Sequence, residues 1–215
     1  MGPIGRTLTH DADQLSAFDH SIETLRKLGA EMVELDMDLD AFISNPISGS
    51  EGYFNHKQIV EDPNSKMDEG VRSRLLQGKE LCIKPGSAQD YIRFNLACKK
   101  WHKEWLEDMK SYRAWLSPTF PGLPIPLSDL KGVDENTNSL AVFTRFVNLL
   151  GLCAVSLPSS LTTSKEIASA GLPTSLQIAC RPNDEITALR IARAFEIARG
   201  PFPKPPLAFA NTEKA

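Results

Sequence analysis

No apolar run in these 215 residues approaches the length of roughly 20 needed to cross a bilayer. The first residues, MGPIGRTLTHDADQ, contain no apolar stretch that would serve as a secretory signal. Together these absences make the cytoplasm the expected compartment and exclude a membrane partner. A basic excess is missing too. Against 24 Lys and Arg stand 27 Asp and Glu, a net charge of -3, so there is no electrostatic footprint for nucleic acid. Cysteine and histidine are scarce, at four each, and scattered. Cys82, Cys98, Cys153 and Cys180 form no CxxC pair, and His10, His20, His56 and His102 form no HxxxH or HExxH pair. No metal site and no cofactor are therefore expected, and the four thiols read as reduced and mostly buried.

Serine chemistry has no obvious footing either. There is no G-x-S-x-G and no GGSSGG-like stretch, and the scattered histidines support no Ser–His–Asp or Cys–His arrangement. One S-x-x-K exists, Ser128–Lys131. Chance alone supplies such a spacing, and it has meaning only on a helix, whereas here it lies in a proline-rich stretch. Ser159 and Ser160, with Lys165, read as solvated loop residues. No residue of this chain is therefore expected to act as a catalytic group.

What is present reads as alternating helices and short strands, with 41% hydrophobic and 24% charged residues. Leu15, Phe18, Ile22, Leu25 and Leu28 recur at three- and four-residue steps, which predicts a helix over 11–28, capped by Thr9 or Asp11 and ended by Gly29. AEMVELD, residues 30–36, reads as a strand, 44–50 as a loop and 51–61 as a short helix. A helix over 67–81 is expected to be interrupted at Gly70 and Gly78. Tyr91, Phe94, Cys98, Trp101, Trp105 and Met109 form the apolar stripe of a long helix over 87–111, a core face rather than an aromatic cofactor box. A strand over 113–117, a proline-rich loop, a helix over 139–150, and strands at CAVSLP and LPTSLQIAC follow. The clearest helix is 182–199, with Leu189, Ala192 and Phe195 turned inward. The tail over 201–215 is proline-rich and reads as frayed or extended.

The segment from Phe143 to Glu196 carries the most specific pattern. Phe143, Thr144, Asn148, Leu149, Gly151, Leu152, Ala154, Ser156 and Pro158 are followed by Gly171, Leu172, Pro173, Leu176, Gln177, Arg181, Pro182, Asp184 and Glu185. This order resembles the closing segment of amidase-signature hydrolases, F-T-x-x-x-N-L-x-G-L-P-A-x-S-x-P and then G-L-P-x-G-L-Q-x-x-x-R-P. It departs at Cys153, where that family usually has proline, and at Ser175, where it has glycine. LSPTFPGLPIP, GPIGRT and residues 13–35 resemble further elements of the family. The resemblance covers nearly the whole chain, yet it corresponds only to the C-terminal half of the family's domain.

The resemblance implies an α/β fold: a partial amidase-signature fold, with a mixed β-sheet and helices packed around it. Residues 1–200 would be the C-terminal portion of the domain and 201–215 a tail. It implies hydrolysis of carbon–nitrogen bonds in a small-molecule amide, by a serine, a cis-peptide serine and a lysine that all precede the matched part. What this half would contribute is scaffold and pocket wall. Arg74 in V-x-x-R-x-x-x-G matches a substrate-binding arginine, and Phe143, Thr144 and Asn148 begin the helix that approaches the pocket. Ala141 stands where the glutamine-using branch has an aspartate, which argues against a glutamine substrate. Two readings follow: the C-terminal part of an amidase, or a non-catalytic binding or partner protein without activity alone. An active hydrolase with newly recruited residues is the third and weakest. In either of the first two, an exposed apolar face would drive association with a second copy or with a separate catalytic half.

Overall fold

The structure is a computed structural model and describes residues 6, 8, 9, 11–35, 46–126, 140–163 and 171–203. Six helices of some length accompany three strands among these residues: α1 Ala12–Lys27, α2 Pro46–Glu61, α3 Glu69–Ile83, α4 Ser87–Asp108, β1 Trp115–Ser117, α5 Val142–Leu149, β2 Cys153–Leu161, β3 Pro173–Cys180 and α6 Glu185–Arg199. A single 3-10 turn, Met109–Ser111, continues α4. The sheet runs β1-β3-β2 with both pairings antiparallel. Pro158 is tolerated because β2 is an edge strand, and the ladder slips beyond it, between Pro158 and Leu161.

β3 is central, and its alternation builds two cores. Leu176, Ile178 and Cys180 face Phe18 and Leu25 of α1 and Ala188, Ala192 and Phe195 of α6. Ala179, one residue out of step, joins Trp105, Met109, Trp115 and the α5 residues Val142, Phe143, Phe146, Val147 and Leu150 on the other face. Trp115 and Phe146 meet edge to face, with ring centroids 6.1 Å apart. The result is three layers: α1 and α6, the sheet, then α5 with the end of α4.

α1 begins where expected: the Asp11 carboxylate accepts from the N–H groups of Asp13 and Gln14, at 2.9 and 3.0 Å. It ends in a Schellman closure, with Gly29 N–H to Arg26 O and Ala30 N–H to Leu25 O. The same closure ends α5, where Gly151 at φ +63 turns the chain into β2.

Several expectations are corrected. Residues 30–35 form no strand and make no ladder bond to β1. Residues 46–50, read as loop, are the first turns of α2. α3 runs unbroken through Gly70 and Gly78. Gly78 serves close packing instead, since a Cβ there would lie 2.0 Å from the Gly49 carbonyl oxygen of α2. α6 starts three residues late, because Asn183 adopts a left-handed φ of 62°. It buries Ala188 rather than Leu189, which is 58% exposed, as small residues let the helix sit close on the sheet. The stripe on α4 is core only at its end: Trp105 and Met109 are buried, while Tyr91 is exposed. Ser159 and Ser160 lie in β2, not in a loop. Residues 36 and 44–45, the loop beyond 126, Ser128–Lys131, Lys165 and the tail beyond 203 lie outside the described residues.

Candidate functional site

The four sequence-derived site residues fall in two places. Phe143, Thr144 and Asn148 share α5, and Arg74 is on α3. Thr144 and Asn148 are one turn apart and so share a side of α5. The Thr144 hydroxyl donates to the Ala141 carbonyl, 3.2 Å away. Asn148 is exposed, and its amide makes no hydrogen bond among the described residues. Phe143 is fully buried and packs in the cluster with Trp105, Trp115 and Phe146. Arg145, half-buried on the same helix, has its pKa lowered by loss of solvation.

α5 is held in place by polar groups of the matched motif. Gln177, buried on β3, donates from Nε2 to the Phe143 carbonyl at 2.6 Å and to Ser117 Oγ at 3.1 Å, joining α5, β3 and β1. His102 Nδ1 lies 2.6 Å from the Leu150 carbonyl and ties α4 to the end of α5. Arg181 places Nη2 within 2.7, 3.0 and 2.9 Å of the carbonyls of Met109, Lys110 and Tyr112, satisfying the orphan acceptors where α4 ends. On the opposite face, Ser21 and Ser159 lie 2.5 Å apart and both donate to the Ala17 carbonyl, fixing α1 on β2. The sequence held Gln177 and Arg181 as motif members only; their roles come from groups far away in the chain.

Arg74 is exposed and makes no hydrogen bond or ion pair among the described residues. Its neighbour Arg72 is the engaged arginine. It donates to the Val60 carbonyl, to the Asp62 and Ser65 carbonyls at 3.2 Å each, and to Ser65 Oγ at 2.6 Å, closing the end of α2.

A cavity of about 690 Å³ opens elsewhere, between α1, residues 30–35 and the stretch leading into β1. None of the four residues lines it. Its apolar wall includes Ile22, Met32, Trp115 and Leu116, and at its edge Arg6 holds Asp19 through two hydrogen bonds of 2.7 and 3.1 Å. That carboxylate raises the Arg6 pKa. The buried Trp115 indole N–H has no partner among the described residues. Ser111 and Tyr112 are the hydroxyl groups in its lining, and no histidine or lysine accompanies them as a base. Among the described residues no three His, Cys, Asp or Glu side chains cluster to hold a metal, and no helix is long and apolar enough to cross a membrane.

A family model described as Amidase matches residues 6–189. The chain is 28% identical over 210 residues to a glutamyl-tRNA(Gln) amidotransferase subunit of Geobacter metallireducens, a match covering 87% of this chain and 42% of the relative. It is 37% identical over 218 residues to the protein of the same name from Anaeromyxobacter sp. strain K, covering 91% and 43%. Among solved structures, allophanate hydrolase of Kluyveromyces lactis superposes with a TM-score of 0.73 at 19% identity, covering 87% of this chain and 30% of that one, a likeness of fold. The chain thus spans about two-fifths of the length of these curated relatives.

Proposed function

We propose that this chain, which belongs to the amidase family, supplies the scaffold and part of the substrate-pocket wall for hydrolysis of a carbon–nitrogen bond in a small amide. In this reading the attacking serine, its partner serine and the lysine come from polypeptide outside these 215 residues. One observation carries the proposal. The family match extends over residues 6–189, yet the polar groups that give the matched motif its character, Gln177 and Arg181, are spent on holding α5 and the end of α4. Amide hydrolysis needs a nucleophile, a base and oxyanion donors, and groups already engaged in structural bonds cannot provide them.

Within that division of labour, Asn148 and Thr144 contact substrate from α5, Phe143 is a positioning residue, and Arg74 meets a charged substituent. The cytoplasm is the setting. Phe54, Ile92 and Leu96 are exposed large apolar side chains, and the catalytic segment covers such side chains in this reading.

The test is complementation. The purified chain is assayed with a simple aryl amide, alone and after co-expression with an amidase segment bearing the Gly-Ser-rich stretch and lysine. No turnover is expected alone, and turnover is expected from the pair. In the pair, Asn148→Ala and Arg74→Ala should raise KM more than they lower kcat. Hydrolysis by the chain alone that a serine-directed inhibitor abolishes would overturn the proposal. So would a pair that associates stably and remains inactive.

A further inference from the structure

We infer that Cys153 and Cys180 form an oxidisable thiol pair that closes into a disulfide across β2 and β3. In sequence they are far apart, and nothing about their spacing suggests a pair. The register of the sheet sets them directly opposite each other. Opposed residues of antiparallel strands have Cα atoms about 4.5 or 5.5 Å apart, depending on the type of pair. Both values fall inside the roughly 4.4–6.8 Å range that disulfides span. Directly opposed side chains leave a sheet on the same face, and both cysteines here belong to the same apolar cluster.

Their environments differ in a way that assigns the order of events. Cys153 is half-buried at the start of β2, and its thiol lies 3.1 Å from the Arg181 carbonyl. Cys180 is fully buried. Burial, with Cys153 nearby, pushes the Cys180 thiol up to about 12, so it does not react first. Cys153 is the sulfur that a hydroperoxide reaches. Its thiolate attacks the peroxide, the S–O bond forms as the O–O bond breaks, and the other oxygen leaves as alcohol or water. The Cys180 sulfur then attacks the sulfenic sulfur. The S–S bond forms, the S–O bond breaks, and the leaving oxygen departs as water with the Cys180 proton. Two thiols and one hydroperoxide become one disulfide, one alcohol or water, and one water.

The link would fasten the open end of the β2–β3 hairpin, whose other end the chain already joins. It sits between Gly151, where α5 stops, and Arg181, which holds the end of α4. The inference does not rest on the amide reading and stands if that fails.

The experiment treats the reduced 215-residue chain with hydrogen peroxide, quenches with acid, alkylates under denaturing conditions and maps the peptides by mass spectrometry. The expected product has lost two hydrogens and gives one linked peptide joining Cys153 and Cys180, which dithiothreitol separates. Its thermal unfolding midpoint should exceed that of the reduced chain. Cys153→Ala should abolish the link, and a Cys82→Ser, Cys98→Ser chain should keep it. Both thiols remaining alkylatable after oxidation, Cys153 advancing to sulfinic acid with Cys180 unchanged, or links between other cysteines would each overturn it.

Discussion

Replacing Gln177 tests whether α5 is positioned as described. The side chain is 3% exposed and bonds from one nitrogen to the Phe143 carbonyl and the Ser117 hydroxyl. Gln177→Met keeps nearly the same volume and removes the donor. Two buried hydrogen bonds are lost at about 1 kcal/mol each, and their acceptors forfeit a partner where water cannot replace it, so the total is roughly 2–4 kcal/mol. For a chain of this size that lowers Tm by roughly 5–15 °C. Tryptophan fluorescence reports it, since Trp105 and Trp115 pack in the core that α5 completes. Gln177→Glu sharpens the test. A buried carboxylate has no proton to give the Phe143 carbonyl and loses its solvation, so its folded-state pKa must rise above the unfolded value of about 4.3. The folded state then holds the extra proton more tightly. Stability therefore falls as pH rises from the unfolded pKa to the folded one, and the variant should come closest to the parent below about pH 4. If both variants unfold within about 0.5 kcal/mol of the parent, or show the same pH profile, the Gln177 tie does not hold α5.

Two further perturbations concern the α2–α3 hairpin. Gly78→Ala should destabilise by about 1–3 kcal/mol in urea titrations followed by helical circular dichroism, despite the better helix propensity of alanine, because the new Cβ meets the Gly49 backbone, which cannot rotate away. Unchanged or raised stability would mean that the helices are farther apart than described. Glu61 accepts from Tyr53 Oη at 2.6 Å and Lys79 Nζ at 2.9 Å, and these bonds, the tyrosine's first, hold its carboxyl below the usual range. A depressed carboxyl contributes stability that is complete above its unfolded pKa and lost as pH falls through the folded one. Amide protection in α2 and α3, taken relative to the intrinsic exchange rate at each pH, should therefore fall below about pH 4, and Glu61→Gln should remove that acid sensitivity.

Much of the layered unit was legible in the residues. α1, the long α4, the β2–β3 pair and α6 follow from periodicities of 3.6 and 2 and from local stops at Gly29, Gly151 and Gly200. These signals are local, and so they survive reading in isolation. The failures share a cause. The 30–35 stretch has strand-forming residues, but a strand exists only with a partner edge, and here a cavity separates it from β1. Gly78 looked like a helix breaker because its use, a close approach to Gly49, involves a residue on another helix. For the site, the sequence pointed to three residues that the structure places on one helix, α5. It could not tell that Phe143 would be sealed in the core, that Arg72 and not Arg74 would be the engaged arginine, or that Ser159 would be buried against α1.

By itself, then, the sequence determined the family, the order and type of most elements, and the exclusion of a helical membrane span, since composition, periodicity and motif order are properties of the chain as written. The tertiary structure alone decided which polar groups of the motif are structural ties, where the cavity lies, and that Cys153 faces Cys180. Each of these depends on bringing together residues far apart in the chain, and that is fixed by strand register and packing rather than by any local preference.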